Sequence, residues 1–209
     1  MSPSKPRTRT PAADVRDQLI AAGRRILEHD GVPGLTVRAV AAEAGVAPMG
    51  VYNHFDGKEG LLDAVVTDGF VEFGRAIAAT DEAPVARLQN SGRAYRRFAL
   101  ANPTLYSLMF STTCNPEPSA AANSFAVLAD IIRYAQVAGL IRAGDPQQLA
   151  MYTWSCVHGA VSLELAGAKT AMDSWPGSGD HLAQQPFDGD ANYEGVLALI
   201  AAGLAASTG

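Results

Sequence analysis

Residues Thr36 to Phe55 read TVRAVAAEAGVAPMGVYNHF, and the fold follows from this stretch. At a period of 3.6, Val37, Val40 and Ala41 form one short apolar helical face, and Val51 with Phe55 forms a second. Gly45 lies between them, suited to the left-handed end of a first helix, which Thr36 can N-cap through its hydroxyl. Pro48 fits the first turn of a second helix, where the N–H it lacks is not needed. Two short helices around a tight turn are the layout of a helix-turn-helix, whose second helix lies in the DNA major groove.

With Val51 and Phe55 turned inward, Pro48, Met49, Gly50, Tyr52 and Asn53 project outward. Asn53 offers the donor and acceptor pair that reads a base edge, while Tyr52, His54 and Thr36 suit phosphate oxygens. Lys58, at the start of the following helix, would add a salt-dependent phosphate contact. The competing reading is an ordinary helical hairpin in an all-α core. Gly50 and Asn53 argue against it, being poor choices for a buried helix face.

Thr36, Val40, Ala41, Gly45, Val46, Tyr52, His54, Phe55 and Lys58, with Leu61 and Leu62 after them, together resemble the DNA-binding domain of the TetR family of bacterial transcriptional regulators. The resemblance implies an all-α protein: a three-helix head, a connecting helix, and a larger helical body for ligand binding and dimerisation. It also implies homodimers on a palindromic operator, a small-molecule effector, and DNA contacts from Thr36, Arg38, Pro48, Met49, Gly50, Tyr52, Asn53, His54 and Lys58. The chain departs from the pattern at Ala47, where many relatives place Ser or Thr. Alanine can neither cap the recognition helix nor bond a phosphate through a hydroxyl.

Outward from this stretch, the charge is uneven. The chain of 209 residues carries a net charge of -5, yet residues 1–60 hold eight Lys or Arg against seven acids, and the remainder eight against fourteen. The acidic charge therefore sits in the body, which excludes indiscriminate nucleic-acid binding by the whole surface. Within residues 1–12 the charges are Lys5, Arg7 and Arg9, a basic arm that either is a disordered tail or reaches phosphates and a minor groove. No run approaches the roughly 18 apolar residues of a membrane span, and the start lacks the apolar core of a secretion signal, so a soluble cytoplasmic protein is expected. Two isolated cysteines, Cys114 and Cys156, provide neither a disulfide framework nor a thiolate metal site. No nucleophile–base set, carboxylate pair or metal-ligand spacing occurs, so neither an enzyme nor a cofactor is expected.

The domain reading is an arm over 1–12, a head over 13–57 and a body over 58–209. A first helix from Ala13 to His29 carries its stripe on Leu19, Ala22, Ile26 and Leu27, and Gly31, Pro33 and Gly34 stop it. A fourth helix begins at Asp56 or Gly57, with its stripe on Leu62, Val65, Val66, Phe70, Phe73 and Ile77. It has the length of a rod able to carry a signal between head and body. Further helices are predicted over 84–100, 103–110, through Phe125 to Ala135, over 146–166 and over 193–206. Segments 111–119 and 168–191 read as loops.

The 146–166 helix is apolar on nearly all sides, which predicts burial on nearly all sides. Its TWSCVHGAVSLELAG and the earlier ANPTLYSLMF, residues 101–110, resemble a WHG-type body domain found in one branch of the same family. His158 has two readings: a core histidine bonded to a carbonyl or to Ser155 or Ser162, or a polar wall of an effector cavity whose apolar walls are Trp154, Tyr106, Met109 and Phe110. Paired with the 193–206 helix, the 146–166 helix would form half of a four-helix dimer interface. The function expected is a ligand-responsive DNA-binding regulator, more specifically a repressor; the alternative is a constitutive regulator without an effector.

Overall fold

The structure, a computed structural model, describes residues 12–167 and 188–206. Nine helices occur among them: α1 (Ala12–Gly34), α2 (Val37–Glu43), α3 (Pro48–Tyr52), α4 (Gly57–Ile77), α5 (Pro84–Ala101), α6 (Pro103–Met109), α7 (Pro118–Val137), α8 (Pro146–Leu165) and α9 (Gly189–Leu204). Extended pairing among the described residues is limited to an isolated bridge between Ile141 and Ala205. It is held by Arg142 N–H to the Leu204 carbonyl at 2.8 Å and Ala206 N–H to the Leu140 carbonyl at 3.1 Å. The expected all-α class holds, and no described helix is long and apolar enough to cross a membrane.

Two compact units divide the chain. The first takes in the residues up to Gly69 together with Thr104–Glu117; the second comprises Phe70–Pro103 and the residues from Pro118 onward. Helix α4 therefore contributes its first half to one unit and its second half to the other.

In the first unit, α1, α2 and α3 pack on one another, and Leu19, Leu27, Leu35, Val40, Val51, Leu61 and Val65 are fully buried between them and α4. The local signals act where the sequence places them. Thr36 Oγ1 accepts the Ala39 N–H at 3.1 Å, capping α2. Gly45 has φ +69°, the left-handed conformation a side chain would strain. Gly31, at φ +66°, interrupts α1, so Pro33 and Gly34 occupy a short extra turn beyond the break rather than a loop. The 111–117 segment is tied to α4 by Asn115 N–H donating to Asp63 at 2.7 Å and Glu117 N–H donating to Thr67 Oγ1 at 3.0 Å.

In the second unit, α5, α7, α8 and α9 pack together. Pro84, Pro118 and Pro146 each open a helix, and Asp145 accepts the Gln147 N–H at 3.1 Å as the N-cap of α8. The Asn102 side-chain amide donates to the Phe98 carbonyl at 2.9 Å and closes α5. Helix α7 begins at Pro118, inside the stretch expected as a loop.

The expectation for α8 is corrected. Its buried residues, Leu149, Ala150, Thr153, Val157, Ala160 and Val161, fall on one side only. Met151 is 44%, Tyr152 51% and Leu163 62% exposed, and on α9 Leu199 is 74% exposed. An all-round apolar helix implies all-round burial only when every neighbour it has belongs to the same chain. The 168–187 part of the expected loop lies outside the described residues.

Candidate nucleic-acid interface and body site

The outward side of the helix-turn-helix is built by the inward side. Val51 is fully buried and Phe55 8% exposed, which fixes the rotation of α3 and leaves Met49 66% and Tyr52 58% exposed, with Pro48 and Asn53 also exposed. Helix α3 begins at Pro48 without a side-chain cap, as Ala47 requires. A β-carbon at Gly50 would come no nearer than 3.5 Å to Val46, so the small residue here is not demanded by crowding within the chain. Arg38 and Thr36 are exposed at the first turn of α2, on the element that crosses a DNA backbone in this motif. The Thr36 oxygen is occupied as an acceptor, but its O–H can still donate to a phosphate.

His54 and Lys58 are half-buried. The imidazole of His54 stands 6.3 Å from the Phe55 ring, and Lys58 Nζ donates to the Val32 carbonyl at 3.1 Å. That bond positions the ammonium beside the turn after α1 and leaves two of its three N–H donors for another acceptor. Sequence reasoning did not find the Arg16 guanidinium 5.3 Å above the Phe55 ring, or the Arg25–Glu43 ion pair at 2.7 Å that joins α1 to α2. The exposed charges of α1 carried a signal, but not their partners.

The residues expected to line an effector cavity are distributed over both units. Tyr106, Met109 and Phe110 belong to the first, where Tyr106 and Phe110 meet ring to edge at 5.0 Å. Trp154 and His158 belong to the second, 5.4 Å apart between ring centres, with Phe125 6.4 Å from Trp154.

The partner of His158 is a residue the sequence did not single out for this role. Tyr95 of α5 has its hydroxyl 2.9 Å from His158 Nδ1, and the Trp154 indole N–H donates to the same hydroxyl at 3.2 Å. Ser155, one of the expected partners, instead bonds the Met151 carbonyl. An indole nitrogen can only donate, so the phenol oxygen accepts from Trp154, and the direction of its bond with His158 Nδ1 follows the imidazole tautomer. Burial depresses the His158 pKa below its ordinary value, favouring the neutral imidazole. Phe73 packs edge-on against Tyr95 at 5.1 Å and against Phe98 at 5.2 Å, fixing the phenol from the other side.

Two ion-pair sets bind α9 to the rest of its unit. Arg96 of α5 makes a two-point contact with Glu164 of α8 at 2.6 and 2.8 Å and also holds Asp190 at the start of α9. Arg93 grips Glu194 at 2.7 and 2.8 Å. The carboxylates raise both arginine pKa values, and Arg93 lowers that of Glu194. These pairings span 68 to 101 residues and had no local signature.

On the outer side of α8 and α9 runs an open groove of about 580 Å³, lined by Tyr152, Cys156, Gly159, Leu163, Val196 and Leu199 among others. Cys156 is exposed in it.

These features define a helix-turn-helix transcriptional regulator with a separate helical body. The chain belongs to the TetR family: residues 19–65 match the model for bacterial regulatory proteins of the tetR family, and residues 88–187 match that for the tetracyclin repressor-like C-terminal domain. An uncharacterised HTH-type transcriptional regulator of Mycobacterium tuberculosis is 30% identical over 173 residues, 78% of this chain and 76% of that one. The HTH-type transcriptional repressor DhaR of a Mycobacterium species is 36% identical over 86 residues, 39% of this chain and 42% of that one. A solved structure from Rhodococcus sp. RHA1 matches with a TM-score of 0.74 at 28% identity, covering 97% of this chain and all of the other. The protein is a DNA-binding transcriptional regulator and not an enzyme.

Proposed function

We propose that the protein is a ligand-responsive repressor that binds a palindromic operator as a homodimer and is released by a small molecule. The observation that carries the DNA-binding part is the exposed side of α3, where a fully buried Val51 turns Met49, Tyr52 and Asn53 outward. Asn53 is assigned to a base edge, Tyr52, Thr36, Arg38 and His54 to phosphates, and Lys58 to a further phosphate. Gly50 and Pro48 let the helix end approach the groove closely. The repressor sense is supported by the likeness to a repressor over 39% of the chain.

Dimerisation through α8 and α9 is supported by the exposed Tyr152, Leu163 and Leu199 along the groove. A two-fold axis over that face would pair the two helices with their copies in a four-helix interface. Two heads would then address major grooves about 34 Å apart. An effector bound in the body acts by population shift: it favours a body arrangement that moves α4 and takes the heads off that spacing. Trp154 and His158, both of the second unit, are assigned to the effector site. A regulator of this kind acts in the cytoplasm, beside the DNA it binds.

Gel-shift titration tests the assignment. Tyr52→Ala and Lys58→Ala should each weaken operator binding several-fold or more, and Lys58→Ala should also flatten the salt dependence by about one unit of slope. Unchanged affinity for both would remove the proposed interface. Thermal stabilisation by a member of a compound library separates an effector-responsive regulator from a constitutive one.

A further inference from the structure

Between Glu43 and Asp56 the chain holds no Lys, Arg, Asp or Glu. The cations that read guanine through two hydrogen bonds, and the carboxylates that accept from cytosine, are therefore absent from α3 and from the turns on either side of it. What α3 does turn outward is one free amide and one large apolar side chain. Asn53 follows the last helical residue, and its side-chain amide makes no hydrogen bond with any described residue, so its donor and its acceptor are both available. That pair matches N6 and N7 of adenine, which lie side by side on the major-groove edge.

Met49, at 66%, is the most exposed large hydrophobic side chain described in its unit. A single exposed apolar residue is ordinary on a protein surface. Met49 is set apart by its register: it precedes Asn53 by four residues, so the two share a face one turn apart, opposite the buried Val51 and Phe55. The thymine C5-methyl is the apolar group that bases present in the major groove, and the unbranched thioether of methionine adapts its shape to cover it. Four helical residues rise by about 6 Å, and base pairs repeat every 3.4 Å or so, which sets the two contacts within two base steps of each other.

We propose that α3 selects A·T pairs at both positions it reads in each half-site: Asn53 bonds N6 and N7 of an adenine, and Met49 covers the methyl group of a thymine at most two base pairs away. The assignment rests on the DNA-binding mode proposed above and adds the bases it selects. Arg38, exposed on α2, is the competing base reader. A guanine preference elsewhere in the half-site belongs to it and not to α3.

The test takes the full-length protein through selection from a library of random duplexes, then measures the enriched duplex by fluorescence anisotropy with thymine or uracil at each position. Uracil lacks only the methyl group. At the Met49 position it should weaken binding about four-fold in one half-site and about fifteen-fold in both, the loss of one buried methyl each time. Met49→Ala should bind the thymine and uracil duplexes alike, whereas Met49→Leu should keep the distinction. Asn53→Ala should reduce the preference for adenine at its own position by about tenfold and leave the uracil penalty in place. Both side chains are exposed, so neither change removes packing from the head. A uracil penalty that persists in full in Met49→Ala would overturn the proposal, as would a G·C pair at a position whose preference changes in either variant. In both cases binding itself is intact, and the DNA-binding mode stands. Failure to enrich any duplex at low salt would remove that mode and this assignment together.

Discussion

Replacing Leu163 and Leu199 together by glutamine is the sharpest perturbation of the proposed assembly. The two side chains are 62% and 74% exposed on the outer faces of α8 and α9, so neither substitution opens a hole in the folded chain. Glutamine is nearly as good a helix former as leucine, which keeps the local propensity intact. Full burial of a leucine is worth about 2 kcal/mol. Scaled by these exposures and doubled by the two-fold axis, covering the four side chains contributes roughly 5 kcal/mol to a dimer. Its loss should raise the dimer dissociation constant by about a thousandfold or more. Sedimentation equilibrium over a concentration series reads that constant, and circular dichroism checks that helicity is retained. Operator affinity should fall with it, because a single head loses the gain that comes from tethering the second. A double variant that stays dimeric at wild-type concentrations, with its helicity unchanged, would refute the placement of the interface on α8 and α9.

Four other outcomes follow from the geometry. Thr36→Ala removes the Oγ1 acceptor of the Ala39 N–H and should cost about 1 kcal/mol in thermal or urea unfolding, whereas Ala47→Ser supplies α3 with the cap it lacks and should stabilise the head by up to about 1 kcal/mol. Tyr95→Phe deletes the hydroxyl shared by Trp154 and His158 and should destabilise the protein by about 1–3 kcal/mol in the same assay. Because burial lowers the His158 pKa from its ordinary 6.5, the unfolded chain binds the proton more readily; this part of the stability is complete above that value and is lost as pH falls through it, and His158→Gln should flatten the dependence in that window. Glu194 behaves in the same sense at lower pH: Arg93 depresses its pKa from 4.5, so the contribution of that pair is present above 4.5 and disappears on further acidification, a loss that Glu194→Gln should abolish in pH-dependent melts.

The sequence by itself determined the elements whose causes are local. Thr36, Gly45 and Pro48 act on amides within three or four residues of themselves, and the stripe of α4 from Leu62 to Ile77 is buried as its period requires. Short-range backbone chemistry and a helical repeat are written along the chain, so the helix-turn-helix and the all-α class were legible there, and so was the likeness to the family. The partners of the body's polar groups were not. Tyr95 with His158 and Arg96 with Glu164 join helices 63 and 68 residues apart, and no periodicity encodes which residues of two separate helices meet. The one-sided burial of α8 is of the same kind. Its composition shows that apolar surface must be covered, but only the packed chain reveals which part its own helices cover and which part remains for a partner.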